Sequence, residues 1–309
     1  MARGDALLRR EGAAPCAPSL RSAPTSVRQQ LGLSILAVYP LLEVALGGPQ
    51  MPQAREGINL WPTAAIGRRW VTMLELLRPQ PGEQILDVGF GRGEALRWIA
   101  ARLGASGRAV GVEVKQELLD ALLATCEVAG QQNIEVHLAD AASLPFPDAS
   151  FDAALSVNVL EALPDRSRAL TEMKRVLRPG GRVLVAHADY ESQVYACSDR
   201  ELARRINLAF AEALMPGYQA ADGQLGRHLW GLFSAAGFSG AELRVLPLVE
   251  TDFAEPHLGW MLTRFGPQWI VKHGLLQEDV DRWRRDLQER SARHAYVYCQ
   301  NLYVCTGSV

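Results

Sequence analysis

The fold is decided by residues 85–94, which read Ile-Leu-Asp-Val-Gly-Phe-Gly-Arg-Gly-Glu. A short apolar run leads there into three glycines at alternate positions, and apolar residues at helical spacing follow (Leu96, Ile99 and Leu103). This order predicts a strand, a tight turn and a helix, because glycine accepts backbone angles in the turn that other residues rarely adopt. In open α/β sheets, a turn of this kind receives a nucleoside-containing cofactor.

An acidic residue, Asp87, stands before the glycines in the pattern Asp-x-Gly-x-Gly-x-Gly. A dinucleotide site has the pattern Gly-x-Gly-x-x-Gly instead and holds a pyrophosphate at the start of the helix. A carboxylate at the mouth of the turn would repel a pyrophosphate and attract an ammonium group. S-adenosylmethionine meets this requirement, because it carries an α-amino group, a sulfonium and an adenosine. The predicted cofactor is therefore S-adenosylmethionine rather than NAD.

The next predicted strands also end in candidate cofactor-binding residues. The strand at 110–113 ends in Glu113, at the distance along the chain where a carboxylate can meet ribose hydroxyls. The strand at 134–138 leads into Asp140, which can meet the adenine amino group, and the strand at 151–157 would direct backbone groups toward the methionine portion. The predicted cofactor-binding residues are Asp87, Gly89, Gly91, Gly93, Glu113, Asp140, Ala141, Ser156, Val157 and Asn158.

Five segments, in this order and at this spacing, carry a family resemblance: ILDVGFGRG, VGVEVK, LADAASLPFPDASFD, LSVNVLEALPD and LRPGGRV. On these segments, residues from about 70 to 190 resemble the class I S-adenosylmethionine-dependent methyltransferases, in the branch that includes ubiquinone/menaquinone-type and many small-molecule methyltransferases. The resemblance implies an α/β fold with a doubly wound, mostly parallel seven-stranded sheet of the Rossmann-like methyltransferase type. An antiparallel C-terminal hairpin and a helical cap would complete this fold.

Two positions depart from the family pattern. Phe90 stands where the turn usually carries a small residue or Cys, and Ala162 replaces the His of a Leu-Glu-His motif. The first departure would reshape the cofactor cradle. The second removes a histidine that some relatives place near the active site.

The chain divides into four predicted parts. Residues 1–30 are Arg-rich and acid-poor, which predicts a disordered tail, with a transit peptide as the alternative. Residues 31–78 would form N-terminal helices or a lid; their apolar stretch 31–48 contains a Pro and a Glu, which favours an amphipathic helix packed on the domain over a membrane-associated one. Residues 79–190 would be the cofactor-binding core, and residues 191–309 the C-terminal part with helical insertions that cap the substrate.

Composition limits the classes of partner. A net charge of −2 and a pI near 6.3 give no electrostatic reason to expect nucleic acid. Five scattered cysteines form no metal-binding spacing and predict reduced thiols in the cytoplasm and no metal. A small-molecule substrate is expected, and nothing in the sequence indicates an oligomeric state.

Methyl transfer from a sulfonium is an in-line displacement, so the enzyme mainly positions the reactants and excludes water. A base is optional, and the fifth predicted strand supplies the catalytic candidates His187, Asp189 and Tyr190 at its carboxyl end. The predicted function is a methyltransferase (EC 2.1.1 type) acting on O, N or C of a small apolar or aromatic molecule. A non-catalytic S-adenosylmethionine-binding protein and an NAD-type oxidoreductase are the alternatives.

Overall fold

The computed structural model describes residues 62–213 and 222–309. The predictions for residues 1–30, for the apolar stretch 31–48 and for the rest of the lid up to residue 61 lie outside the described residues. The helices and strands, in chain order, are α1 (Ala64–Leu77), β1 (Gln84–Val88), α2 (Glu94–Leu103), β2 (Arg108–Glu113), α3 (Gln116–Ala129), β3 (Ile134–Leu138), β4 (Phe151–Val157), a 3-10 turn (Leu160–Ala162), α4 (Arg166–Val176), β5 (Leu177–Tyr195), α5 (Arg200–Glu212), α6 (Leu225–Ala236), β6 (Ser239–Glu250), α7 (Leu258–Phe265), α8 (Pro267–Ile270), a second 3-10 turn (Val271–His273), α9 (Gln277–Ala292) and β7 (Tyr298–Ser308).

The seven strands form one sheet in the order β3-β2-β1-β4-β5-β7-β6. Strands β1 to β5 pair in parallel, and β7 runs antiparallel to both of its neighbours, β5 and β6. The order reverses beside β1, because β2 lies on one side of it and β4 on the other. The predicted doubly wound sheet with an antiparallel C-terminal hairpin is confirmed, and its topology places a ligand crevice at the carboxyl ends of β1 and β4.

Each face of the sheet covers its own hydrophobic core. Ile85 faces a core that includes residues of α1, α2, α5 and α9, whereas Leu86 and Val88 face a core built with α4 and α6. Because side chains alternate along a strand, Asp87 shares the face of Ile85. The face of α1 and α2 is therefore the one that carries the acidic residue of the glycine turn.

The start of helix α5 differs by one residue from the start that the sequence predicts. The pattern Ser198-x-x-Glu201 predicts a capping box, but the structure places the N-cap of α5 at Asp199, whose carboxylate accepts a hydrogen bond from the Leu202 N–H at 2.9 Å. Ser198 instead bonds the carboxylate of Asp286 on α9. The tertiary contact with α9 thus displaces the predicted local one.

Helix α3 shows how periodicity decides burial. Its apolar spacing predicts that Leu118, Leu119, Leu122 and Leu123 share one core face, but Leu123 is 49% exposed while Leu122 is 1% exposed. Adjacent residues on a helix point about 100° apart, so these two cannot face the same core. The buried stripe of α3 is Leu119, Leu122 and Cys126.

This pair of neighbours supplies a matched test of the core. We expect Leu122→Ala to lower the free energy of unfolding by about 2–5 kcal/mol, because it leaves a cavity under α3. We expect Leu123→Ala to change it by less than about 0.5 kcal/mol, as an exposed substitution does. Urea denaturation of both variants measures the difference, and equal losses would contradict the placement of α3.

Candidate active site

A cavity of about 160 Å³ lies at the carboxyl ends of β1 and β4, where the strand order reverses. Five of the residues predicted to bind cofactor line it, namely Asp87, Gly89, Gly91, Val157 and Asn158. Its remaining walls are Pro62, Ile66, Arg69, Trp70, Phe90, Arg92, Glu94, Ala95, Leu258 and Leu302. The cavity therefore joins the glycine turn to α1, to the cap helix α7 and to β7.

Two glycines of the turn serve different purposes. Gly89 has φ +77°, and a Cβ there would lie 2.3 Å from Cγ2 of Val159, so close packing as well as the backbone angle requires glycine. Gly91 has φ +58°, and a Cβ there would meet no atom within 4 Å. The backbone at Gly91 is thus open toward the cavity, as a cradle for a ligand must be.

Two further features of the turn concern packing. A Cβ on Gly93 would lie 2.6 Å from Cδ2 of Leu122, and Gly93 does not line the cavity. The ring of Phe90, the unusual residue of the turn, lies so close to Gly111 that a Cβ on Gly111 would be 2.5 Å from its Cδ1 atom. The fold accommodates Phe90 because β2 carries no side chain at Gly111.

Glu113 lies against the turn. Its Oε2 atom accepts a hydrogen bond from the Gly91 N–H at 3.2 Å, and its Oε1 atom accepts one from the Val114 N–H at 2.9 Å. Burial raises the pKa of this carboxyl, and the two backbone hydrogen bonds oppose that rise. Each oxygen retains acceptor capacity, because a carboxylate oxygen can accept more than one hydrogen bond.

Asp87 is the most perturbed acid of the site. It is 3% exposed, and its Oδ2 atom has no hydrogen-bond partner among the described residues. Burial, together with the neighbouring acids Glu113 and Glu94, raises the pKa of Asp87 to about 8. A buried acid without a partner beside two other acids suits a cationic group and disfavours a pyrophosphate. The residues present therefore fit the ammonium end of S-adenosylmethionine.

The other predicted cofactor residues are bonded to the backbone near them. Asp140 is exposed and accepts a hydrogen bond from the Ala142 N–H at 2.8 Å, while the buried Ser156 hydroxyl donates to the Val88 carbonyl at 3.0 Å. Asn158 has φ +54°, and its Oδ1 atom accepts from the Ala188 N–H at 2.9 Å. Their roles toward the cofactor, and that of the buried Ala141, stay predictions.

None of the three catalytic candidates lines the cavity. His187 is fully buried; burial lowers its pKa to about 4, and its Nε2 atom lies 3.7 Å from Oε2 of Glu161. Asp189, also fully buried, accepts hydrogen bonds of 2.6 and 3.0 Å from Arg227 on α6. Both lie on the α6 side of β5, because they alternate with residues that face the other core, such as Ala188.

Tyr190, the third candidate, is buried in the core on the cavity side of the sheet. Its backbone N–H donates to the Gly223 carbonyl at 2.8 Å. A catalytic role for His187, Asp189 or Tyr190 stays a prediction.

Helix α1 contributes residues that the sequence reasoning did not select. Ile66, Arg69 and Trp70 line the cavity, and Met73, fully buried, continues their stripe. The spacing i, i+3, i+4 and i+7 places a charged residue on the buried face of an amphipathic helix, and this signal could have identified Arg69. From the far side, α7 and β7 supply Leu258 and Leu302.

Within residues 62–213 and 222–309, no group of three or more His, Cys, Asp and Glu side chains could hold a metal ion. The four cysteines described there are free thiols. Among the described helices, none has the length and apolar character needed to cross a membrane.

The raised pKa of Asp87 predicts a pH dependence. A folded-state pKa above the unfolded value near 4 gives stability that is present below pH 4 and is lost as pH rises toward 8. We therefore expect Asp87→Asn to gain unfolding free energy relative to the unmodified protein between pH 5 and pH 8, by about 2–4 kcal/mol. Urea denaturation at both pH values, without ligand, measures the change. A difference that is the same at pH 5 and pH 8 would contradict a buried, protonated Asp87.

The comparisons with known proteins agree with this geometry. A sequence family described as a methyltransferase domain matches residues 86–185. Methyltransferase GfsG of Streptomyces halstedii is 36% identical over 127 residues, which cover 40% of this chain and 45% of that protein. Nocamycin O-methyltransferase of Saccharothrix syringae is 35% identical over 111 residues, which cover 36% of this chain and 40% of that protein. The chain thus spans less than half the length of these curated relatives.

A solved structure shows the same fold over a larger part of the chain. The YcgJ protein from Bacillus subtilis superposes with a TM-score of 0.53 at 19% identity, over 78% of this chain and 97% of that one. The match to residues 86–185 begins within β1 and ends within β5, so it includes the glycine turn and the carboxyl ends of β1 and β4, which line the cavity. Residues 86–185 therefore form a methyltransferase domain of the class I S-adenosylmethionine-dependent type.

Proposed function

We propose that this protein transfers a methyl group from S-adenosylmethionine to O, N or C of a small apolar or aromatic molecule. One observation carries the proposal: the open backbone of Gly91 and the buried, raised-pKa carboxyl of Asp87 border the same cavity. An adjacent ammonium group would stabilise the ionised carboxylate of Asp87. The O-methyltransferase name of one relative favours oxygen as the acceptor atom.

Specific residues would hold the cofactor. Asp87 would attract its amino group, and the backbone at Gly89 and Gly91 would lie along its amino-acid end. Glu113 would accept hydrogen bonds from the ribose hydroxyls, for which its two oxygens keep acceptor capacity beyond the bonds from Gly91 and Val114. Asp140 and Ala141 would lie at the adenine end of the cofactor.

S-adenosylmethionine, when bound, supplies a methyl group that is already activated by the positively charged sulfur. The chain has to orient an acceptor and keep water away from it. Apolar side chains from three separate elements do this in the cavity: Ile66 and Trp70 from α1, Leu258 from α7 and Leu302 from β7. An amine acceptor needs no base, whereas a phenol has to lose a proton.

The two alternatives differ in what they require of the site. A dinucleotide would place its pyrophosphate at the turn, where the carboxylates of Glu94 and Glu113 would repel it and no cation would favour ionisation of Asp87. A non-catalytic cofactor-binding protein would need the same cradle but no acceptor. The apolar walls beside the turn support the catalytic form. A cytoplasmic location stays a prediction from the scattered cysteines.

Cofactor binding should release a proton. At pH 7 Asp87 is protonated in the free protein, since its pKa is about 8, and a neighbouring ammonium group favours the ionised form. We expect titration with S-adenosylhomocysteine at pH 7, in phosphate and in Tris, to show release approaching one proton per ligand. We expect none with Asp87→Asn.

NADH is the control ligand for that titration, and no heat of binding is expected from it. Proton uptake with S-adenosylhomocysteine would contradict the role of Asp87. Binding of NADH in preference to S-adenosylhomocysteine would favour the oxidoreductase.

Glu113 gives a second test of the cofactor site. Glu113→Gln should weaken binding of S-adenosylhomocysteine about 10–100-fold, because it removes a charge-assisted hydrogen-bond acceptor worth about 1.5–3 kcal/mol. Glu117→Gln, an exposed acid on α3, is the matched control and should bind as the unmodified protein does. Equal affinities for the two variants would remove Glu113 from the site.

Transfer itself is tested with methyl-labelled S-adenosylmethionine and a panel of apolar and aromatic alcohols, phenols, amines and acidic carbon compounds. We expect label in at least one acceptor. Tight cofactor binding without label in any acceptor would overturn the catalytic proposal in favour of the cofactor-binding alternative.

A further inference from the structure

Arg69 is an unusual residue for an apolar cavity wall. It lies on α1 between Ile66 and Trp70, and all three residues line the cavity. Its Nε and Nη1 atoms are out of solvent and have no hydrogen-bond partner among the described residues. Buried polar groups in proteins are nearly always bonded, so each exception calls for an explanation.

One acid and two phenols lie near Arg69. Burial lowers the pKa of Arg69, and the nearby Tyr298, Glu250 and Tyr190 oppose this change. The Glu250 carboxylate accepts hydrogen bonds from the N–H groups of Leu258 and Gly259 at 3.0 and 2.9 Å, and the Nε and Nη1 atoms of Arg69 donate none to it. Glu250 therefore caps the start of α7 and leaves two donor atoms of the guanidinium unsatisfied.

The groups around Arg69 also indicate at which end of the cavity Arg69 lies. They belong to the carboxyl-end part of β5, to β6 and to β7, whereas the acids that act on Asp87 are Glu113 and Glu94 from the glycine-turn side. The turn end of the cavity thus carries the acids Asp87 and Glu94 together with Arg92, whose Nη1 atom donates to Glu94 at 2.9 Å, and Arg69 stands with the cap elements. In the proposed reaction, the cap side is where the acceptor lies.

We propose that Arg69 binds an anionic oxygen of the acceptor, so that the substrate is an organic acid, either a carboxylate or an acidic phenol or enol, on an apolar body. The inference rests on the proposed methyl transfer and names its substrate class. A guanidinium donates from several N–H groups in a plane, which matches a carboxylate or an oxyanion. The apolar walls at Ile66, Trp70, Leu258 and Leu302 would receive the rest of the molecule.

Binding measured on the full chain, with S-adenosylhomocysteine at saturation, tests this proposal. The probes are matched pairs: 2-naphthoate with 2-naphthamide, benzoate with benzamide, and 2-naphthol carrying an acidifying nitro group with its methyl ether. We expect the acid of at least one pair to bind ten-fold or more tightly than its neutral partner. Acids that bind no more tightly than their partners in every pair would overturn the proposal.

Variants at Arg69 and at its neighbour Arg68 test whether Arg69 causes the preference for the acid. Arg69→Gln should abolish the preference for the acid, and Arg69→Lys should keep part of it. Arg68→Gln, an exposed position on the same helix, should leave it unchanged. A preference that survives Arg69→Gln would assign the anion to another group.

The cofactor titration distinguishes this inference from the proposed function. Arg69→Gln should bind S-adenosylhomocysteine within three-fold of the unmodified protein. A loss of ten-fold or more would place Arg69 on the cofactor and overturn its assignment to the acceptor. If the unmodified protein does not bind S-adenosylhomocysteine, the proposed function fails, whereas equal binding of acid and amide fails only this inference.

A measurement without ligand tests whether the guanidinium of Arg69 lacks hydrogen-bond partners. Arg69→Met keeps an unbranched apolar stem and removes a charge whose Nε and Nη1 atoms have no hydrogen-bond partner among the described residues, so we expect the thermal unfolding midpoint to rise. A midpoint lowered by several degrees would show that the guanidinium is already satisfied within the chain, and the proposal would then be wrong. Circular dichroism of each variant confirms that it is folded.

Discussion

The turn from β1 into α2 is the constraint on which the rest of the structure depends. Gly89 has to be glycine because Val159 occupies the space of a side chain, and Gly93 because Leu122 does. These contacts join β1, α2 and α3 to the segment after β4 at one point. The turn therefore fixes the position of the backbone at Gly91, where no side chain blocks the cavity.

Charge is separated across this cavity. Asp87 and its acidic neighbours lie at the turn, where burial keeps the Asp87 carboxyl protonated near neutral pH. Arg69 of α1 lines the same cavity, and two of its donor atoms have no partner in the part of the chain that the structure describes. Both groups are costly in the protein without ligand, because each is buried without a full set of partners. A zwitterionic cofactor and an acidic acceptor would relieve these two costs at the same time.

On the face of β5 that points away from the cavity, similar residue types contact α6 instead of lining the cavity. Asp189 is paired with Arg227 of α6, and His187 is neutral and buried near Glu161. The half-exposed Arg227 donates to both carboxylate oxygens of the buried Asp189, so this pair links α6 to the sheet. Residue type at a strand end thus indicates chemistry only when the side chain points toward the cavity.

The sequence by itself determined the strand, turn and helix at residues 85–94 and the strands at 134–138 and 151–157, because local periodicity and glycine backbone angles specify them. Only the tertiary structure decided which face of β5 carries His187 and Asp189, and that Arg69 of α1 meets Leu258 and Leu302 at one cavity. The reason is that these outcomes depend on how helices pack across the sheet, over separations along the chain that no local pattern encodes.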